Sequence, residues 1–250
     1  MAQPGILDNL LTVLSKSALL LSLGDRGYGD EMLWGALTTL EISALAYLIG
    51  ITIGLAGAMG KLGGDSVTRA FLNVYTTIVR ASPDLILILL VYYAGTDLLN
   101  RVLASYGFTA VRVSGFAAAV AVLGFIQGAY STEVLRAAIQ AIPVGQIEAA
   151  KAVGMSPWLR FRRIVVPAML PLAIPGMANL WLIVVKASSL IAVVGYTELL
   201  LATKQAAGNT KLYLLFYMAA AMGYLVMTLV SNQAFKRLEA YYRRGAQKIG

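Results

Sequence analysis

The chain has 250 residues, of which 59% are hydrophobic and only 13% are charged, and its formal net charge is +8. The charged share is about half the roughly 25% of an ordinary soluble domain, and the apolar content excludes an intrinsically disordered chain. Cys and His are both absent, which excludes a disulfide scaffold, an iron–sulfur cluster and the usual zinc and catalytic-triad sites.

The first 30 residues differ from a secretory signal peptide. Lys16 precedes a short apolar stretch, and no small-residue cleavage site follows it. We therefore expect residues 5–23 to form an amphipathic helix that lies in the membrane interface.

Long apolar runs predict an all-α integral membrane protein with about five spanning helices. A crossing requires about 20 mostly apolar residues, and four runs meet this with Glu41 as their only charged residue: 33–58, 113–132, 164–185 and 212–235. A fifth span is predicted from Pro83 to about Asn100, with Ser82 as its N-cap and Pro83 at its first helical position. A soluble protein could bury one such run, but not five.

The distribution of basic residues predicts the orientation. Twelve of the 20 Lys and Arg lie in segments on the same side as the carboxyl terminus and six lie on the other side, while Arg80 and Lys186 lie at or within spans. Cytoplasmic loops are enriched in Lys and Arg, so we expect the amino terminus outside and the carboxyl terminus in the cytoplasm. The predicted organisation is an interfacial segment over 1–30, one membrane domain over 31–236 and a basic cytoplasmic tail over 237–250.

The loop between the third and fourth long spans carries strong local signals. Pro143 suits the start of a helix, and Gly154 can adopt the left-handed conformation that ends one. Ser156 can cap a second helix that has Pro157 at its first position. The loop is therefore predicted to form a helix, a tight turn and a second helix.

A structured cytoplasmic loop has the shape of a docking element, although an interfacial helix without a partner is the alternative. Ala149, Ala150 and Ala152 would let another surface approach the backbone closely. Basic side chains of the second helix favour contact with membrane lipid on the cytoplasmic side: Arg160, Arg162 and Arg163.

This loop resembles that of ABC importer permeases. The family pattern is Glu-Ala-Ala, three residues, Gly, nine residues, Ile, two residues and Pro. It is matched here, with Val166 where most relatives have Leu, at Glu148, Ala149, Ala150, Gly154, Ile164 and Pro167. The resemblance implies that these residues and Gly145 form the ATPase-docking loop, and that the chain has the type I ABC importer permease fold.

Other segments are similar to the polar amino-acid branch of that family. They are residues 80–83, 128–133, 141–146 and 186–190, where Ala187 replaces an Asp that many relatives have. Residues 58–62, 75–80 and 83–85 look most like the Q-type subunit of importers for histidine, lysine, arginine, ornithine and opines.

The resemblance implies a subunit of a larger machine. The expected partners are a cytoplasmic ATPase dimer, a second permease that is M-type or identical to this chain, and a periplasmic solute-binding protein; no nucleic acid is expected. The chain has no phosphate loop of the G-x-x-x-x-G-K-[ST] kind. We therefore expect no cofactor or catalysis on this chain, and ATP with Mg on the ATPase.

Polar groups in or near the spans are candidates for the solute pathway: Glu41, Arg80, Asp84, Lys186, Ser188 and Ser189. A carboxylate within a membrane usually faces a cavity or a partner, so Glu41 is a candidate contact for a cationic solute, with structural pairing or a position at the level of the lipid headgroups as the alternatives. Arg80 and Asp84 are four residues apart and could pair with each other. Lys186 could gate the outer side or hold a carboxylate. Glu198 is expected outside the membrane, where it could contact the binding protein.

Two other classes fit the composition. An ion-coupled secondary transporter would show two similar halves and more acids within its spans, and a channel would need a filter. The sequence shows neither feature, so transport of a polar, basic amino acid by an ABC importer is the favoured function.

Overall fold

The five predicted spans are helical in the computed structural model, which describes residues 17, 19–24, 27–109 and 114–243. From residue 27 onward, the described residues form eight helices and no strand. The helices are α1 (Gly29–Gly63), α2 (Ser66–Ala81), α3 (Asp84–Ser105), α4 (Gly115–Gln140), α5 (Val144–Ala152), α6 (Pro157–Val194), α7 (Leu199–Thr210) and α8 (Tyr213–Arg243). Within the described residues, α1, α3, α4, α6 and α8 are long and apolar enough to cross a membrane.

The observed helices are longer than the apolar runs that predicted them. The fourth predicted span and the second helix of the loop are one continuous helix, α6, with a π-helical segment at Phe161–Val165 and a 3-10 segment at Ser188–Val194. The basic segment from residue 237 is described as far as Arg243, and this part of it belongs to α8. Most of the predicted interfacial helix over 5–23 and the first residue of the predicted 113–132 span lie outside the described residues.

Three glycines hold α1 against α4 at the centre of the bundle. The two helices run parallel, since Gly50 faces Gln127, Gly54 faces Ser131 and Gly57 faces Thr132. A methyl group at position 54 would lie 2.9 Å from the Ser131 carbonyl carbon, so only glycine permits this approach. Small residues are typical of close packing between membrane helices.

Most of α4 is buried between α1, α2 and α6. The helix is 26 residues long, about 39 Å at 1.5 Å per residue. A smaller apolar cluster joins the start of α1 to α7 and α8 through Met32, Leu199 and Phe216. The docking loop follows the end of α4, and the second cluster lies around the opposite end of α1.

Helix α3 begins one residue later than the sequence predicted. Pro83 rather than Ser82 is the N-cap of α3, and the Ser82 hydroxyl donates to the Ile78 carbonyl at 2.8 Å. Both residues have extended backbones, with ψ of 145° and 131°. The residue before a proline is disfavoured in the helical region, so the chain needs both residues to complete the break.

Candidate docking loop and solute pathway

The candidate docking loop begins immediately after Ile142, a buried residue that follows α4. Ile142 is 3% exposed and belongs to the main core, which fixes the loop to the bundle. Pro143 is then the N-cap of α5, and its carbonyl accepts from the Gln146 amide at 3.0 Å. The predicted helix start is therefore observed, with Pro143 one residue before the first helical position.

A Schellman turn ends α5 at Gly154, where the sequence predicted that the helix stops. Gly154 has φ of 75° and donates to the Lys151 carbonyl at 2.9 Å, and Met155 donates to the Ala150 carbonyl at 3.1 Å. This pair of bonds satisfies carbonyls that a helix terminus leaves free. The positive φ favours glycine at this position, because a side chain clashes with the backbone there.

The second helix starts with the predicted cap. The Ser156 hydroxyl accepts from the Leu159 amide at 3.4 Å, and Pro157 occupies the first turn. Trp158 stacks on Phe161 with ring centroids 5.9 Å apart. The turn between the helices is thus fixed by local bonds on both sides.

The loop presents a mixed apolar and charged surface, with Glu148 and Lys151 both exposed. Val144, Val153 and Trp158 are 66%, 72% and 68% exposed, and Gly145, Glu148 and Ala149 are also exposed. Ala150 is only 4% exposed. Ile164 is half-buried in the π-helical segment, and Pro167 is exposed farther along α6. An exposed patch of this kind on a rigid turn is suited to binding another protein.

Close to this loop, a charge network joins three helices. The Lys61 amine lies 2.6 Å from both the Glu133 carboxylate and the Thr76 hydroxyl, and the Lys61 side chain is 7% exposed. Arg136 binds the other oxygen of Glu133 at 2.8 Å. The network ties α1 and α2 to the last turns of α4. Sequence reasoning missed it because the partners are far apart in the chain.

The break before α3 places two charged candidates beside one tyrosine. The Arg80 guanidinium lies 6.0 Å from the ring centroid of Tyr130, and Tyr130 also interacts electrostatically with Asp84. The predicted pairing of Arg80 with Asp84 is wrong, because no ion pair joins these two described residues. The extended backbone across the break separates them, and Arg80 is directed toward α4.

The break lies level with the middle of α4. Tyr130 is the sixteenth residue of that helix, and Tyr75 of α2 donates to the Phe125 carbonyl at 2.6 Å. Pro83 has no amide hydrogen for the preceding turn, and backbone bonding resumes with Ile86 donating to the Pro83 carbonyl at 3.0 Å. Free backbone groups at such a depth are tolerated where they line a cavity or are buried in protein.

The other candidates are dispersed. Glu41 is exposed on the same face of α1 as Leu37 and Leu45, and Lys186 is exposed on α6. Ser188 is fully buried and donates to the Val185 carbonyl, while Ser189 donates to the Lys186 carbonyl. Among the described residues, no hydrogen bond or ion pair links Glu41 or Lys186 to the Arg80 and Asp84 site.

Glu198 is wholly buried, which corrects the expectation that it contacts the binding protein. It caps α7 by accepting from the Leu200 and Leu201 amides at 2.9 Å, and it accepts from Tyr224 at 2.9 Å and Thr39 at 3.3 Å. Burial raises the pKa of this carboxyl, although all four hydrogen bonds act in the opposite direction. Its role is to join α1, α7 and α8.

No group of described residues has the composition of a metal site.

Comparison with known families identifies one match over most of the chain. The model of the family described as "Binding-protein-dependent transport system inner membrane component" matches residues 46–244. The nopaline transport system permease protein NocQ of Agrobacterium fabrum is 40% identical over 230 residues, which cover 91% of this chain and 98% of that protein. The histidine/lysine/arginine/ornithine transport system permease protein HisQ of Salmonella typhimurium is 39% identical, over 89% of this chain and 97% of that protein.

A solved structure has the same fold. The crystal structure of an amino acid ABC transporter with histidines contains a chain that matches with a TM-score of 0.73 and 25% sequence identity. The match covers 96% of this chain and 100% of that chain. The predicted type I importer permease fold is therefore confirmed.

Proposed function

The chain belongs to the family of binding-protein-dependent transport system inner membrane components, and from this premise we propose which solute it moves and which surfaces do the work. It is a multi-pass inner-membrane permease subunit of an ABC importer. The proposed solute is a polar, basic amino acid (histidine, arginine, lysine or ornithine) or an opine. The support is the similarity to the nopaline and histidine/lysine/arginine/ornithine permeases over nearly their whole length.

The docking loop is proposed to bind the ATPase. Its exposed surface includes Glu148 and Ala149 and is held by the Schellman turn at Gly154. Two copies of a cytoplasmic ATPase, carrying ATP and Mg, would bind two permeases. The second permease is an M-type relative or an identical copy, and a periplasmic binding protein would deliver the solute.

We place the solute site at the break between α2 and α3. Discontinuous membrane helices near mid-depth offer free backbone groups and helix ends to polar solutes. Here Arg80 lies 6.0 Å from the ring centroid of Tyr130 and Asp84 interacts electrostatically with the same tyrosine, so a cation and an anion that do not pair with each other both act at one aromatic ring. Arg80 would hold the solute carboxylate and Asp84 its cationic group, because a basic amino acid needs both complements.

The exposed face around Glu41 supports a pathway between two permeases. A charged side chain facing lipid at the centre of a membrane costs about 2.5–3.5 kcal/mol on insertion scales. Glu41 nevertheless lies on an exposed apolar face of α1. A partner permease or an aqueous path against this face would remove that cost. Lys186 is proposed to act on the outer side, as a gate or as a contact for the carboxylate.

Transport then follows from alternating access. ATP closes the two ATPases and moves the docked loops, and the permease pair changes from inward-open to outward-open. ATP drives this change only to the extent that it favours one state over the other. The loop is the mechanical link, because it is rigid at both ends and continuous with α4 and α6.

The test is uptake by the complete importer reconstituted in vesicles, with a panel of basic, neutral and acidic amino acids and opines. We expect ATP-dependent uptake of basic solutes. Asp84→Asn should raise the KM for basic solutes at least tenfold while the ATPase stays bound, because the solute cation loses its partner. Lys204→Gln, at an exposed cation on α7, is the control and should leave uptake unchanged. A preference for acidic solutes would refute the proposed solute class, and unchanged uptake by Asp84→Asn would refute the proposed site.

A further inference from the structure

A polar cavity of about 230 Å³ opens at one end of the bundle, beside the charge network. It is lined by Lys61, Arg69, Asn73, Glu133, Arg136 and Gln140. We name it the basic cavity, because three cations face a single carboxylate. Its side chains come from α1, α2 and α4, and the Lys61 side chain is only 7% exposed.

The basic cavity has more hydrogen-bond donors than acceptors. Glu133 already accepts from Lys61 and Arg136, and the side-chain Oε1 of Gln140 accepts from Arg136 at 2.7 Å. Lys61 uses two of its three N–H donors on Glu133 and Thr76. The cavity therefore has spare donors and an excess positive charge, a combination that suits an oxyanion.

Arg69 supplies the donors best placed for such a ligand. Within the described chain, its guanidinium makes a single hydrogen bond, from Nε to the Asp65 carbonyl at 3.4 Å, and no ion pair. Its two terminal nitrogens remain for a ligand, and this planar fork matches two oxygens of a phosphate. Asn73, one turn farther along α2, adds an amide to the same wall.

The level of the cavity points to the lipid headgroup region. Lys61 lies two residues before the end of α1, and Gln140 is the last residue of α4. Both are spanning helices that end on the same side. An apolar groove of about 620 Å³ lies nearby between α1 and α2, lined in part by Val67, Phe71 and Leu72. The groove that suits a lipid's hydrocarbon chains and the cavity that suits its phosphate would therefore both lie along α2.

We propose that the basic cavity binds a phosphate group, with the headgroup of an anionic phospholipid as its source. Basic pockets between spanning helices are known to hold such headgroups. The bound phosphate would compensate the excess charge and hold α1, α2 and α4 together next to the docking loop. The proposal requires only that the chain crosses a membrane, so it does not depend on the solute or the ATPase surface.

The test compares lipids on the complete importer purified in neutral detergent. The unfolding midpoint is measured with added phosphatidylglycerol, phosphatidylcholine or inorganic phosphate. Phosphatidylglycerol should raise the midpoint and phosphatidylcholine should not. Arg69→Gln should reduce the phosphatidylglycerol shift by at least half, because Arg69 is exposed and its loss removes ligand donors without breaking a buried pair. Lys236→Gln, at an exposed cation on α8, should keep the full shift.

The inorganic phosphate arm separates the two sources of the same chemistry. A shift by inorganic phosphate that equals the lipid shift and requires Arg69 would assign the cavity to the free ion. A shift by phosphatidylglycerol alone would assign it to lipid. Equal lipid shifts in the parent and Arg69→Gln would overturn the site. If Arg69→Gln lost ATPase binding but kept the full lipid shift, the site would also be overturned, because Arg69 would then be a protein contact.

Discussion

Replacing Gly154 should uncouple the ATPase without affecting membrane insertion. The residue has φ of 75°, and an added Cβ would meet nothing within 4 Å. The penalty of a substitution therefore arises from the backbone conformation and not from a clash with neighbouring residues. A left-handed conformation costs an ordinary residue roughly 1–2 kcal/mol, and a β-branched residue is less tolerated there still.

This physical origin predicts a graded series. Asn tolerates the left-handed region, so Gly154→Asn should retain most ATPase binding. Gly154→Ala should lower the population of the docking geometry by a factor of about 5–30, which corresponds to 1–2 kcal/mol. Gly154→Val should lower it further. The Schellman bonds of Gly154 and Met155 are the structure that these changes destabilise.

The assay is copurification of the ATPase at matched permease abundance, followed by ATP-driven uptake in vesicles. Gly208→Ala is the matched control, because a Cβ there also meets nothing within 4 Å and the backbone φ is not positive. It should retain the ATPase and transport normally. If Gly154→Val binds the ATPase as well as Gly154→Asn does, the turn is not required for docking and the reasoning fails.

Two further predictions address topology and the buried carboxyl. Because the sequence has no cysteine, a single cysteine can be labelled cleanly. A cysteine at position 141, which is exposed and outside the residues proposed to bind the ATPase, should react with an impermeant reagent only after the cells are permeabilised. Labelling of intact cells from outside would reverse the proposed orientation. The raised pKa of Glu198 means that the unfolded chain loses this proton at a lower pH than the folded chain. The parent should therefore lose stability as pH rises from about 4.3, the ordinary glutamate pKa, toward the raised pKa. In Glu198→Gln this loss should be absent in thermal unfolding in detergent, and equal pH profiles would contradict the role of burial.

Local signals made the helix, turn and helix of the candidate docking loop predictable from the sequence. A proline at the helix start, a glycine at its end and a serine–proline pair at the next helix act through bonds within a few residues. The observed bonds of Gly154 and Ser156 are of this local kind. The spans were predictable for a different reason, since length and apolar content suffice to identify a crossing.

The buried polar contacts depend on the tertiary fold and were not predictable in this way. Lys61 and Glu133 are 72 residues apart in the chain, and Thr39 and Glu198 are 159 apart. No spacing rule relates such partners, so Glu198 was expected at the surface. The N-cap of α3 was misplaced for a local reason, because the restriction that Pro83 imposes on Ser82 outweighed the capping preference of serine.

These contacts also determine what a displacement of the docking loop can move. The loop follows α4 directly, and α4 is joined to α1 both by the glycine contacts and by the Lys61–Glu133 ion pair. A pull on α5 should therefore move α1 and α4 as one body. Most of α3 is exposed, and it is separated from α2 by the extended residues Ser82 and Pro83. The break with Arg80 and Asp84 thus lies where a moving body meets a loosely packed helix, which is the place where a change of access would alter a bound solute's surroundings most.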